Sequence, residues 1–160
     1  MSPSSRRRPF RATTVVAGAL FAAAIALSMR AAAAPAAQAA QATGSRSAWA
    51  GVFNDAQVER GRTAYNAQCA RCHGETLGGG ENSPALVDDV FFNIWGGKSV
   101  GALVEYTRTT MPSDGPGKIS RKRCIDIAAY VLSANGFPTG GHELPTELDA
   151  LDQITITRAK

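Results

Sequence analysis

Apolar and polar positions along the chain fall into short helical blocks separated by glycine and proline. The clearest block is residues 121–134, where Cys124, Ile125, Ile127, Ala128, Val131 and Leu132 recur at the spacing of a helix. Ser120 stands where an N-cap is expected, Asn135-Gly136 supplies the stop, and Pro138 blocks continuation. A second helix is predicted to begin after Asn54 or Asp55 and to run through Val58, Gly61, Arg62 and Tyr65 to about Ala70, with Asn54 and Gln57 spaced as a capping box. Asp88 to Trp95 predicts a short helix closed by Gly96-Gly97, and Ser99 caps another over roughly Val100 to Thr107. Residues 74–87, with Gly78-Gly79-Gly80 and Pro84, and residues 109–119, with two Pro and two Gly, are predicted loops. The tail 139–160 keeps Leu144, Leu148, Leu151, Ile154 and Ile156, which predicts an ordered wrap with one short helix. No stretch predicts a sheet, so the expected class is all-α.

The N-terminus has a different character. Arg6-Arg7-Arg8 and Arg11 precede an apolar run from Thr13 to Leu27, and Ala-x-Ala sites follow at Ala34-Pro35-Ala36 and Ala40-Gln41-Ala42. That order is expected of a secretory signal peptide over residues 1–42. The alternative is an uncleaved membrane anchor. The uncharged stretch Ala12–Met29 has 18 residues, marginal against the roughly 20 that a span needs. Residues 43–52 then form a linker, 53–136 the main domain and 137–160 the C-terminal wrap. Either N-terminal reading places the main domain outside the cytoplasm, in the periplasm.

The formal net charge of +4 changes meaning once the chain is divided. Residues 1–42 hold five Arg and no acid, while residues 43–160 hold 12 Lys+Arg against 13 Asp+Glu, or −1. The basic balance belongs to the export segment, which removes the argument for a nucleic-acid-binding protein.

The chemistry-bearing motif is Cys69-Ala70-Arg71-Cys72-His73. Cys-x-x-Cys-His is the attachment motif for c-type haem. Two thiols three positions apart at a helix end can reach two vinyl groups on one porphyrin edge, and the adjacent imidazole then faces the iron. A thioredoxin-like redox pair would need a βαβ context, and a zinc site would need further Cys or His at short spacing; only Cys124 and His142 remain, both distant in sequence. The expected cofactor is one covalently attached haem c.

Counting supplies a sixth ligand. Of the three Met, Met1 and Met29 lie in the export segment, leaving Met111, 38 residues after His73 and stiffened by Pro112. A thioether opposite an imidazole raises the potential of the iron. His142, in Gly140-Gly141-His142-Glu143, is the rival ligand, and a solvated loop histidine is its bland alternative. The candidate site is therefore Cys69 and Cys72 for attachment, with His73 and Met111 on the metal.

Cys69-Ala70-Arg71-Cys72-His73, Pro84-Ala85-Leu86, Thr110-Met111-Pro112 and the closing helix with Ala129-Tyr130 together resemble class I monohaem cytochrome c over residues 53–136. The resemblance implies a small all-α shell whose first and last helices cross, with Gly61 and Tyr65 on one and Tyr130 on the other. It also implies a hydrogen bond from His73 to the Pro84 carbonyl. Asn135-Gly136-Phe137-Pro138 and Glu143-Leu144-Pro145 are similar to cytochromes associated with quinoprotein (PQQ-type) dehydrogenases. The function so implied is single-electron transfer between redox partner proteins, from a periplasmic dehydrogenase donor to a cytochrome or oxidase acceptor. The alternative is a haem enzyme of peroxidase type, or a haem-based sensor, with a labile sixth position.

Other residues admit two readings. Cys124 reads as a small core residue. Phe91, Phe92 and Trp95 suit the surround of a flat cofactor, and Trp95 could also bond a haem propionate. Arg121-Lys122-Arg123 places cations in a helix's first turn, against its dipole; this fits docking to an acidic partner or to propionates, or else a solvated basic face. Glu143, Glu147, Asp149 and Asp152 read as solvated acids of the tail.

Overall fold

The helix of residues 55–68 and the helix of residues 121–134 cross at a point where one backbone touches the other. The computed structural model describes residues 45–159; the expected export segment lies outside the described residues. In chain order the elements are β1 (Arg46–Ser47), a 3-10 turn (Ala48–Ala50), α1 (Asp55–Gln68), α2 (Ala70–His73), α3 (Asp88–Trp95), α4 (Val100–Thr110), α5 (Arg121–Ala134), α6 (Leu148–Asp152) and β2 (Ile154–Thr155). Among the described residues no helix is long and apolar enough to cross a membrane.

Gly61 makes the crossing possible. A Cβ built there would fall on the Asp126 carbonyl and 2.9 Å from the Tyr130 Cβ. Tyr65, one turn further along α1, is fully buried, its ring 5.3 Å from that of Tyr130. Its hydroxyl donates to the Gly74 carbonyl at 2.7 Å, so α1 is tied directly to the loop that follows α2.

Asn54 caps α1 by accepting from the Gln57 amide at 2.9 Å. The other half of the expected capping box does not form. The Gln57 side chain is buried; its Nε2 donates to Asp126 at 3.3 Å and its Oε1 accepts from the Leu144 amide at 2.9 Å. One residue thus joins α1, α5 and the tail, and a partner inside the core outcompetes the helix end. α1 also stops two residues earlier than expected. Cys69 leaves helical geometry (φ −121°, ψ −36°), and α2 restarts from its carbonyl, which accepts from Cys72 and His73.

Ser99 and Ser120 cap α4 and α5 as expected. α4 runs on to Thr110, with the hydroxyls of Thr107, Thr109 and Thr110 each bonded to a carbonyl four residues back. Asn135, expected only as a stop for α5, laces it to the start of α3. Its Nδ2 donates to the Leu86 and Val131 carbonyls, and its Oδ1 accepts from the Asp88 amide.

The tail is part of the core. Leu151, Ile154 and Ile156 are fully buried. β2 pairs in parallel with β1, Arg46 opposite Ile154, and Ile156 exchanges backbone bonds with Gly97 and Lys98. The sequence predicts no sheet, and a pair of two-residue strands is too short to show an alternating pattern. The tail acids are less free than expected: Glu143 pairs with Arg60 at 2.7 Å, and Asp152 accepts from the Ser99 hydroxyl at 2.7 Å.

Candidate functional site

A cavity of about 350 Å³ opens between the α1–α2 junction, α3, α4 and α5. Phe91, Trp95, Leu103, Ile127 and Val131 give it apolar walls. Cys69, Cys72 and His73 line it from α2 and the residue before it, and Met111 lines it from the loop after α4. Four residues spread over 43 positions of sequence thus meet around one space.

The loop from Gly74 to Val87 is built around His73. The Gly79 amide donates to the His73 carbonyl, Gly80 and Ser83 bond each other, and the Leu86 amide donates to Leu77. Gly79 has φ +84°, and a Cβ there would meet the Ala85 nitrogen and the Ser83 carbonyl at 2.8 Å, so only glycine lets the chain fold back this tightly. The return brings the Pro84 carbonyl to 2.9 Å from His73 Nδ1. A carbonyl can only accept, so Nδ1 carries the proton and Nε2 keeps its lone pair for a metal. The same bond fixes the orientation of the ring.

Cys69, Cys72 and Cys124 form no disulfide with one another. Burial, then the neighbouring Cys124 and Cys72 sulfurs, push the Cys69 thiol up to about 11. Burial also pushes Cys124 up to about 11, with Arg108 opposing. Cys124 is fully buried and its Sγ lies 3.8 Å from the Ile119 carbonyl, outside the cavity lining. It is a core residue.

Met111 follows the last residue of α4 in extended conformation, its amide bonded to the Thr107 carbonyl at 3.1 Å. An ion pair between Arg71 of the motif and Asp114 joins the attachment segment to the loop that carries Met111. Sequence reading missed both ends of this link, since neither residue stands in a pattern that announces a partner 43 positions away.

His142 is exposed and lies outside the cavity lining. Phe91 and Trp95 line the cavity as expected, but Phe92 does not. Its ring packs 5.9 Å from Phe137 and beneath the Arg158 guanidinium at 5.0 Å. Arg121, Lys122 and Arg123 also lie outside the cavity lining.

These residues fit a haem. The walls are apolar, two thiols stand at one wall, and the protein offers one imidazole and one thioether, a donor set suited to iron in a macrocycle that brings its own nitrogens. Among the described residues no three of His, Cys, Asp and Glu gather into a metal cage.

Residues 56–131 match the family described as cytochrome C oxidase, cbb3-type, subunit III. This stretch is a cytochrome c domain. Its small, mostly helical architecture is that of the all-α haem electron-transfer fold expected above. Two curated relatives are subunit CcoP of cbb3-type cytochrome c oxidase. The protein from Azospirillum sp. (strain B510) is 31% identical over 91 residues, covering 48% of this chain and 30% of the relative. That from Azospirillum brasilense is 29% identical over 90 residues, covering 47% and 30%. The aligned segment of the cytochrome c domain therefore spans less than a third of either relative. A solved structure, the sulfane dehydrogenase SoxCD from Paracoccus pantotrophus, is similar with a TM-score of 0.45 at 20% identity, over 68% of this chain and 61% of that one.

Proposed function

We propose that the protein is a periplasmic single-electron carrier with one covalent haem c, held by Cys69 and Cys72 as thioethers and ligated by His73 and Met111. The observation that carries this reading is the meeting of all four residues at one apolar cavity, with His73 Nδ1 already committed to the Pro84 carbonyl. When bound, the haem supplies an iron that cycles between ferric and ferrous.

The chain's residues do the rest. The Pro84 carbonyl holds the His73 ring in one orientation through oxidation and reduction, so little rearrangement accompanies electron transfer. The Met111 thioether is a soft donor that favours the ferrous form and raises the potential. Phe91, Leu103, Ile127 and Val131 exclude water, which also disfavours the extra charge of the ferric state. Arg71 and Asp114 tie the Met111 loop to the attachment segment.

The partners are redox proteins: a dehydrogenase as donor and a cytochrome or oxidase as acceptor. The CcoP likeness supports the oxidase side, and the tail motif resembling quinoprotein-associated cytochromes supports the dehydrogenase side. An N-terminal segment left uncleaved would tether the same domain to the membrane.

The test is attachment. Protein produced with export should retain haem colour in denaturing electrophoresis after acid-acetone extraction, and Cys69→Ala with Cys72→Ala should abolish it. Complete extraction of haem from the unaltered protein would overturn the reading.

A further inference from the structure

Among the described residues, Lys98 is the one Lys or Arg that lines the cavity. The one carboxylate in the lining, Asp114, is already paired with Arg71. Lys98 has no acidic partner among the described residues. The basic run that the sequence offers for haem carboxylates, Arg121-Lys122-Arg123, lies outside the lining.

The turn that presents Lys98 is clamped from two sides. Its amide donates to the Trp95 carbonyl at 3.0 Å, and its carbonyl accepts from the Ile156 amide at 2.9 Å. The Gly97 amide donates to the Ile156 carbonyl at 2.8 Å, and the Ile156 side chain is fully buried. The C-terminal tail thus fixes the backbone at Lys98 while the side chain stays exposed. The ammonium rests 5.0 Å from the centre of the Trp95 ring, which forms part of the cavity wall. An indole face holds an exposed cation by only about 0.5–1 kcal/mol. The three ammonium donors therefore remain available to an anion in the cavity.

A haem brings two carboxylates. If Cys69 and Cys72 take up vinyl groups on one edge of the macrocycle, the carboxylates leave it along another. A carboxylate set against apolar walls without a partner loses its solvation. We infer that Lys98, on the turn clamped by the C-terminal tail, holds one haem carboxylate by a charge-assisted bond and thereby raises the reduction potential. The inference rests on the carrier reading above. Ferric haem carries one positive charge more than ferrous haem. An unpaired carboxylate stabilises that extra charge, and an ammonium on the carboxylate cancels the effect, which favours the ferrous form.

The test uses the holoprotein, poised at the midpoint potential of the unaltered protein at about 0.15 M ionic strength. Lys98→Gln should lower the ratio of ferrous to ferric protein by about threefold or more, and Lys98→Arg should keep it within about twofold. Lys122→Gln makes the same change of charge outside the cavity, beside Asp126 at 3.5 Å, and should alter the ratio less than about 1.5-fold. Redox-difference infrared spectra add a direct readout. Protein grown on aminolevulinate labelled at its carboxyl carbon carries the label in the haem carboxylates, whose bands should shift in Lys98→Gln and not in Lys122→Gln. Both lysines are exposed, so every variant should fold and keep the near-infrared thioether band. An equal fall in Lys98→Gln and Lys122→Gln, no fall in Lys98→Gln, unshifted carboxylate bands, or a fall accompanied by loss of the thioether band overturns the inference. If the unaltered protein carries no covalent haem, the carrier reading fails on its own evidence, separately from the behaviour of Lys98.

Discussion

The α-carbon of Gly61 lies so close to the Asp126 carbonyl that no side chain fits between them. Alanine is intrinsically the better helix former by about 1 kcal/mol, so glycine here reflects the crossing. Gly61→Ala should push α1 and α5 apart and destabilise the protein by about 2–3 kcal/mol despite that propensity. Denaturant unfolding followed by circular dichroism checks this; a stabilised variant would show that the crossing is looser than described.

Gln57 couples the same crossing to the tail. Gln57→Ala removes the acceptor for the buried Leu144 amide and a donor to Asp126. The expected cost is about 1–3 kcal/mol, because a buried amide left without a partner loses its solvation as well as its bond. Amide hydrogen exchange should report it locally, with Leu144 exchanging faster while amides in the middle of α5 keep most of their protection.

The legible part of the fold is the part whose signals are local. Ser99, Ser120 and Asn54 sit immediately before periodic apolar runs, and each accepts from the backbone amide three residues on. Spacing and counting single out Cys69, Cys72, His73 and Met111 in the sequence, and the structure brings the four to one cavity. What stayed hidden depends on residues far apart in sequence. Gln57 looks like a capping residue, yet its side chain serves Asp126 and Leu144. Phe92 looks like a neighbour of Phe91 on one apolar face, yet consecutive positions on a helix point about 100° apart, and it packs on Phe137 instead. The β1–β2 pair and the Asn135 bonds to Leu86 and Asp88 need tertiary placement before they exist.

Cysteine chemistry gives a count. If Cys69 and Cys72 are thioethers, Cys124 is the one free thiol. It is fully buried and its thiol is pushed up to about 11, so at pH 8 it is protonated and unreachable. Iodoacetamide at pH 8 should leave the native holoprotein unmodified and add a single group after unfolding. Intact mass spectrometry reads both results. Three added groups would show that neither thioether formed.

Met111 and His142 make opposite predictions about the iron. Met111 lines the cavity on a loop pinned through Asp114 to Arg71, whereas His142 is exposed outside it. Met111→Ala removes the soft thioether, so the reduction potential should fall, and cyanide and carbon monoxide should bind where the native protein resists them. The near-infrared thioether-to-iron band of the ferric protein should disappear. Met111→His should stay six-coordinate and also move to lower potential. With haem held by the proposed thioethers and the apolar walls, the alanine variant should fold with a loss of about 2 kcal/mol. His142→Ala should leave spectrum and potential unchanged, because no bond to the cavity is lost. Should His142→Ala perturb the iron spectrum while Met111→Ala does not, the axial pair is His73 with His142. The lower potential of that pair would then call for a different donor and acceptor.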